Sequence, residues 1–243
     1  MKPLILNYRL SPTDTLPLDE TFAVGFPGCE DRLRVTIGQR SVPDGHARWM
    51  WEQIQTHAAE PVLIFVDGDV LFADAVVDIE MPEWAMMMGM WEPRHCNPVT
   101  KVFHHARLHT CLLWVRPGAL LAATTALNVG WKNMPLRPVN PFEQTMVPPA
   151  SDDGYDMPHL YDTAAAACHW WPRRMVRLSE ELLERFTHLH CGEWAEVAER
   201  NGLPGLCAVH QRLRAGTMSP ATWRNECWQF YRTRSYQSNS ARQ

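Results

Sequence analysis

Two aspartates, Asp67 and Asp69, follow an apolar stretch in the segment PVLIFVDGDVLF, residues 61–72. Residues i and i+2 of an extended chain point to the same side, so both carboxylates would face one place. Carboxylates this close repel each other unless a proton or a cation lies between them. Hard oxygen ligands suit Mg²⁺ or Mn²⁺, whose remaining ligands are often phosphate oxygens. The alternative is that Asp-Gly-Asp forms a turn in which one carboxylate caps the next helix.

The segments before these aspartates predict the sheet that would position them. We expect a helix over 44–60 and strands at 3–8, 21–26, 34–38 and 61–66. This alternation is typical of a parallel or mixed sheet with helices on its faces. Ligands bind such sheets beyond the carboxyl ends of the strands, where Asp67 would lie.

Later segments extend this α/β prediction. Further strands are expected at 85–91, 109–115 and 173–179, and further helices at 119–130 and 161–171. A stretch rich in proline and polar residues, 131–159, is predicted to be a long loop. We expect one domain over 1–191 and a helical C-terminal extension over 192–243 that ends in a flexible tail.

The segment DGHARWMWEQIQTHAAEPVLIFVDGDVLF, residues 44–72, resembles the nucleotide-sugar-dependent glycosyltransferases of the GT-A fold. Those families place a Gly-x-Ala-Arg helix before an apolar strand that ends in an Asp-x-Asp motif. The matching residues are Gly45, Ala47, Arg48, Asp67 and Asp69. The resemblance implies a Rossmann-type mixed sheet flanked by helices, and Mn²⁺ or Mg²⁺ held by both aspartates against a nucleoside-diphosphate sugar.

The donor-binding residues implied by the resemblance lie at the helix start. It places Arg48, with Gly45, near the nucleotide. Tyr8 and Arg9, at the end of the first predicted strand, are candidates to contact the base. The loop 131–159 is expected to order over the donor when the donor binds.

A second match lies downstream, where these families place an acidic residue at a helix start beside the acceptor and a histidine that completes the metal site. Asp162 fits the first role and would act as general base. Asp153 is the second choice for that base. His190 is favoured as third metal ligand, and His188 remains the alternative.

Composition limits the partners. The net charge is −4, so there is no basic excess to suggest a nucleic-acid partner, although a nucleic-acid acceptor stays open. Seven cysteines form no Cys-x-x-Cys pair and are interpreted as reduced thiols of a cytoplasmic protein. No apolar run is long enough for a transmembrane segment.

Together these features predict a metal-dependent, hexosyltransferase-like enzyme acting on a glycan or another hydroxyl-bearing acceptor. The sugar, the nucleotide, the stereochemical course and the acceptor are left open. One alternative is a haloacid-dehalogenase-like phosphatase with Asp67 as nucleophile. Others are a zinc site among the histidines and cysteines of 94–111, and a non-catalytic sugar- or nucleotide-binding module built on some of the 11 tryptophans.

Overall fold

A computed structural model describes most of the first 188 residues of the chain. The described residues are 2–9, 18–38, 45–68, 70–72, 74–93, 95–96, 103–127, 129, 131, 134–135 and 159–188. The helical extension expected over 192–243 and most of the loop expected over 131–159 lie outside them.

Helices alternate with strands along this part of the chain. The helices are α1 (Leu18–Gly25), α2 (Gly45–Thr56), α3 (Pro117–Leu127), α4 (Ala165–Trp170) and α5 (Glu180–Leu183), with 3-10 turns at Glu30–Arg32 and Pro172–Arg174. The strands are β1 (Leu4–Arg9), β2 (Leu33–Ile37), β3 (Leu63–Asp67), β4 (Val70–Phe72), β5 (Met87–Glu92), β6 (His95–Cys96), β7 (Phe103–His104), β8 (Arg107–Val115), β9 (Met134–Pro135), β10 (His159–Tyr161), β11 (Met175–Arg177) and β12 (Phe186–His188).

The main sheet has six strands in the order β11-β5-β8-β3-β1-β2. β1 is parallel to β2 and to β3, whereas β8 is antiparallel to β3 and to β5. The sheet is therefore open and mixed, with helices on its faces, and the predicted α/β class is confirmed.

The two faces of the sheet carry separate cores because successive strand residues point to opposite sides. Ile5 and Ile64 lie in one core, and Leu6 and Phe65 lie in the other. The first core includes Phe22 of α1, and the second includes residues of α2 and α3. Strands buried on both faces read as continuous apolar runs, which explains the pattern LIFV before Asp67.

One predicted strand is wrong. Residues 21–26 lie mainly in α1 and not in a strand. Phe22 and Phe26 are four residues apart, which places both rings on one face of the turn. Both pack against Phe72 of β4, at ring-centroid distances of 5.7 and 5.1 Å. The four-residue spacing of Phe22 and Phe26 therefore favours a helix, although the short apolar run had suggested a strand.

Two small sheets flank the main one. β12 pairs antiparallel with β4, and β6, β7, β10 and β9 form a four-stranded sheet in that order. Pairing of β9 with β10 joins the two ends of the predicted loop 131–159.

Within the described residues, no helix has both the length and the apolar character needed to cross a bilayer.

Three cysteines, Cys29, Cys111 and Cys168, are buried free thiols. Burial raises the pKa of Cys168 to about 11, against smaller opposing effects of the Leu108 N–H and Arg107. In the unfolded chain the Cys168 thiol ionises near pH 9. The stability that comes from keeping this thiol protonated in the fold is therefore fully present below pH 9 and is lost as the pH rises towards 11.

We therefore expect Cys168→Ala to lose less stability on going from pH 8 to pH 11 than the wild type, by about 2 kcal/mol. Urea unfolding at the two pH values measures this difference. Equal losses in the two proteins would show that Cys168 ionisation does not contribute.

Candidate functional site

Asp67 lies at the carboxyl edge of the parallel part of the sheet. It is the last residue of β3, and the register of β1 against β3 places it opposite Tyr8. Its side chain is 20% exposed, so the carboxylate is partly shielded but accessible from the edge. The predicted placement of Asp67 beyond a buried strand agrees with this position. Asp69, Asp153 and His190 lie outside the described residues.

Gly68 allows the chain to pass close to β1 directly after Asp67. A Cβ atom on Gly68 would come within 3.0 Å of the Tyr8 carbonyl oxygen and 3.1 Å of the Arg9 Cα atom. Both are backbone atoms of a buried strand and cannot move aside easily. A side chain at this position would therefore push the ends of β1 and β3 apart by a few tenths of an ångström, which favours glycine.

We expect Gly68→Ala to lower the free energy of unfolding by about 1–3 kcal/mol, the usual cost of overpacking. Urea unfolding monitored by circular dichroism measures the loss. A variant as stable as the wild type would contradict the close approach to β1.

The N-terminus of α2 reaches the same edge. His46, in the first turn of α2, places Nε2 3.2 Å from Asp67 Oδ1. Gly45 is half-buried at the helix start, and Arg48 is exposed one turn further on. A helix N-terminus carries a partial positive charge and free N–H groups, which favour an anion. His46 was not predicted as a site residue from the sequence, although it occupies the variable position of Gly-His-Ala-Arg.

Tyr8 lies at this edge with its side chain largely buried. Its side chain packs against both His46 and Trp49, with ring-centroid distances of 4.8 and 4.9 Å, and the residue is 7% exposed. Burial raises the pKa of the Tyr8 hydroxyl, and the charge of Asp67 raises it further. Tyr8 therefore stays neutral and holds the His46 ring in place.

Arg9 is held by its own strand. Its Nε donates to Asn7 Oδ1 at 2.7 Å, and Asn7 Nδ2 donates to the Val66 carbonyl oxygen at 2.9 Å. These bonds tie the end of β1 to the end of β3. They orient Arg9 at the edge, where it was predicted to contact a base.

Arg107 connects two carboxylates in the interior next to this edge. Its Nε lies 2.7 Å from a Glu92 oxygen and its Nη1 lies 2.7 Å from Asp162 Oδ2. Burial acts to lower the pKa of Arg107. The charges of Asp162, Glu92 and Asp67 outweigh burial, so the pKa is raised. Arg107 is thus electrostatically coupled to Asp67 as well as paired with Asp162.

Asp162 occupies the turn that leads into α4. Its Oδ1 accepts a hydrogen bond from the Thr163 N–H at 2.7 Å, and its backbone carbonyl accepts one from the Ala165 N–H at 2.8 Å. Ala164, between them, has a left-handed backbone with φ of 68°. Asp162 was predicted at a helix start, and α4 begins three residues later. The carboxylate is half-buried and fixed on both oxygens.

His188 lies on β12, directly opposite Val70, the residue after Asp69. Its ring is 4.9 Å from the ring of His109 on β8. Of the two histidines weighed as a third metal ligand, His188 is therefore next to the strand that follows Asp-Gly-Asp. His190 stays a prediction.

Comparison with known proteins returned no matching family model, no matching curated protein and no matching solved structure. The geometry of the edge around Asp67 is therefore the basis for assigning a function.

Proposed function

We propose that the protein is a metal-dependent glycosyltransferase that uses a nucleoside-diphosphate sugar. The proposal is carried by the 3.2 Å contact between Asp67 and His46. This contact brings the carboxyl end of β3 to the N-terminus of α2. A carboxylate and a helix N-terminus at one sheet edge suit a cation and a diphosphate respectively.

The residues of the edge fit a hard divalent ion. Asp67 has a carboxylate at the accessible end of its strand, and Asp69 adds a second carboxylate two residues later in the sequence; Mn²⁺ and Mg²⁺ prefer such oxygen ligands. When bound, such an ion stabilises the negative charge that the leaving diphosphate gains. His190 is proposed as its third protein ligand.

The remaining residues would bind and orient the substrates. The first turn of α2, with Gly45 and the exposed Arg48, would bind the donor diphosphate. Arg9 lies at the same edge, where it would contact the nucleotide. Asp162 would orient the acceptor hydroxyl or accept its proton, and Arg107 would hold that carboxylate in place.

We expect Asp162→Asn to lower kcat about 10²-fold while leaving donor affinity nearly unchanged, because the acceptor hydroxyl loses its base or its orienting carboxylate. Steady-state kinetics at varied donor concentration, together with donor-binding measurements, give kcat and donor affinity separately. Equal losses in kcat and in donor affinity would assign Asp162 a structural role through Arg107.

A thermal-shift screen of UDP-, GDP- and dTDP-sugars with and without Mn²⁺ tests the proposed function. Saturation at about 100 times Kd stabilises a protein by about 2.7 kcal/mol, so a cognate donor should raise Tm by about 5–10 °C. The rise should require the metal. No shift with any donor in the presence of Mn²⁺ would argue against a nucleotide-sugar enzyme.

The other two candidate functions differ from the transferase in the products that they form. A phosphatase with Asp67 as nucleophile would release inorganic phosphate from phosphate esters and form a phosphoaspartate. A binding module would show the donor-dependent shift without release of the nucleoside diphosphate. Product analysis after incubation with the cognate donor distinguishes these outcomes.

A further inference from the structure

Two histidines and a cysteine converge where β12 meets β8. His109 and Cys111 come from β8 and His188 comes from β12, and one ligand atom of each lies within 4.8 Å of the other two. His109 and Cys111 lie in the part of β8 between Leu108 and Leu113, where the pairing with β5 shifts register. His109 is the first residue of the predicted strand 109–115, and it lies in β8.

This set of ligand atoms suits a softer ion than the Asp67 edge does. Thiolate and imidazole are the usual zinc ligands, with Zn–S near 2.3 Å and Zn–N near 2.0–2.1 Å. Two nitrogens and one sulfur around a tetrahedral ion are therefore about 3.3–3.6 Å apart. The three atoms lie within 4.8 Å of one another, so they must approach by about 1 Å to bind one ion.

The surroundings restrict where those side chains can go. Cys111 is fully buried, and both histidines are half-buried. The His109 and His188 rings are inclined at 57°, so they do not stack and both can direct a nitrogen to a common point. His109 Nδ1 accepts the Cys111 backbone N–H at 3.0 Å, so binding of a metal through this nitrogen requires that hydrogen bond to break.

We propose that His109, Cys111 and His188 bind Zn²⁺, with a water molecule in the fourth position. The ion replaces the thiol proton of Cys111, which is released to solvent. It also replaces the hydrogen bond to His109 Nδ1. The site joins the two-stranded sheet β4–β12 to the main sheet, and it does not depend on the proposed transferase activity.

The proposal also assigns His188 to this site. The histidine weighed against His190 as third ligand of the carboxylate-bound cation would then belong to a different ion. A zinc bound through β12 would hold in register the strand that pairs with Val70–Phe72, directly after Asp69.

Cobalt titration of the untagged, full-length, metal-free protein tests the site. Co²⁺ replaces Zn²⁺ in such sites, and a bound thiolate gives a charge-transfer band beside the intense visible bands of tetrahedral cobalt. We expect both at one equivalent and their disappearance when Zn²⁺ is added. Absence of the thiolate band in the wild type would overturn the proposal.

Two variants test proposed ligands, and a third is their control. Cys111→Ser should remove the thiolate band, and His188→Gln should weaken Zn²⁺ binding more than tenfold, because loss even of a partner that only orients a ligand costs 10- to 100-fold. Cys29→Ser, at another buried free thiol, should change neither. The band persisting in Cys111→Ser, or unchanged affinity in a folded His188→Gln, would contradict the assignment.

Discussion

Replacement of Asp67 by asparagine is expected to lower kcat/KM about 10³-fold and to abolish Mn²⁺-dependent donor binding. The carboxylate ends β3 at the carboxyl edge of the sheet and is 3.2 Å from His46 at the start of α2. Asparagine keeps the size of the side chain but removes the negative charge that would hold the proposed cation. Loss of one group that stabilises developing charge typically costs 10²- to 10³-fold, and loss of a ligand should lie at the upper end.

The matched control is Glu80→Gln, which makes the same carboxylate-to-amide change at an exposed position of the chain. Its kcat/KM and Mn²⁺ requirement should equal those of the wild type. Circular dichroism and Tm establish that both variants are folded. An Asp67→Asn variant with wild-type turnover and an unchanged Mn²⁺ requirement would show that Asp67 is not a metal ligand.

Replacement of Arg107 by methionine is expected to lower the free energy of unfolding by about 3–5 kcal/mol. Removal of one partner from a buried ion pair leaves an uncompensated charge, which is why such changes cost this much. Here two carboxylates, Glu92 and Asp162, each lose a partner at 2.7 Å. Methionine fills a similar volume, so the loss reports mainly on charge and hydrogen bonding. Urea unfolding at neutral pH measures it.

Two further variants define the origin of this loss. Arg34→Met, at an exposed arginine that bonds neighbouring backbone carbonyls, should change stability by less than about 0.5 kcal/mol. In the triple variant Arg107→Met, Glu92→Gln, Asp162→Asn the two carboxylate charges are removed together with the arginine, so stability should partly recover. A triple variant less stable than Arg107→Met would show that the cost comes from packing instead of charge.

The buried strands could be predicted from the sequence because burial on both faces leaves a continuous apolar run. The runs of β3 and of β8 are of this kind, and the position of Asp67 at the sheet edge follows from the first. Helix α2 was predictable from the spacing of Ala47, Met50 and Ile54, all buried. The run 21–26 was misassigned because four apolar residues and a glycine in six positions do not separate a strand from a helix.

The partners of the site residues had no local signal. Arg107 is far from Asp162 in the sequence, and its ion pairs depend on the packing of β8 beside the turn before α4. His109 and His188 likewise meet only because β12 folds back beside β4 and β8. Contacts of this kind depend on topology, whereas periodicity reports only which face of an element is buried.

Electron paramagnetic resonance of Mn²⁺ in the presence of the protein and a nucleoside diphosphate tests the central claim most directly. We expect Mn²⁺ to bind the wild type more tightly with the nucleotide than without it, with a hyperfine coupling to ³¹P that places the diphosphate on the ion. Asp67→Asn should lose the protein-bound signal. Identical binding by the wild type and Asp67→Asn, or bound Mn²⁺ without ³¹P coupling, would contradict a cation held between Asp67 and a diphosphate.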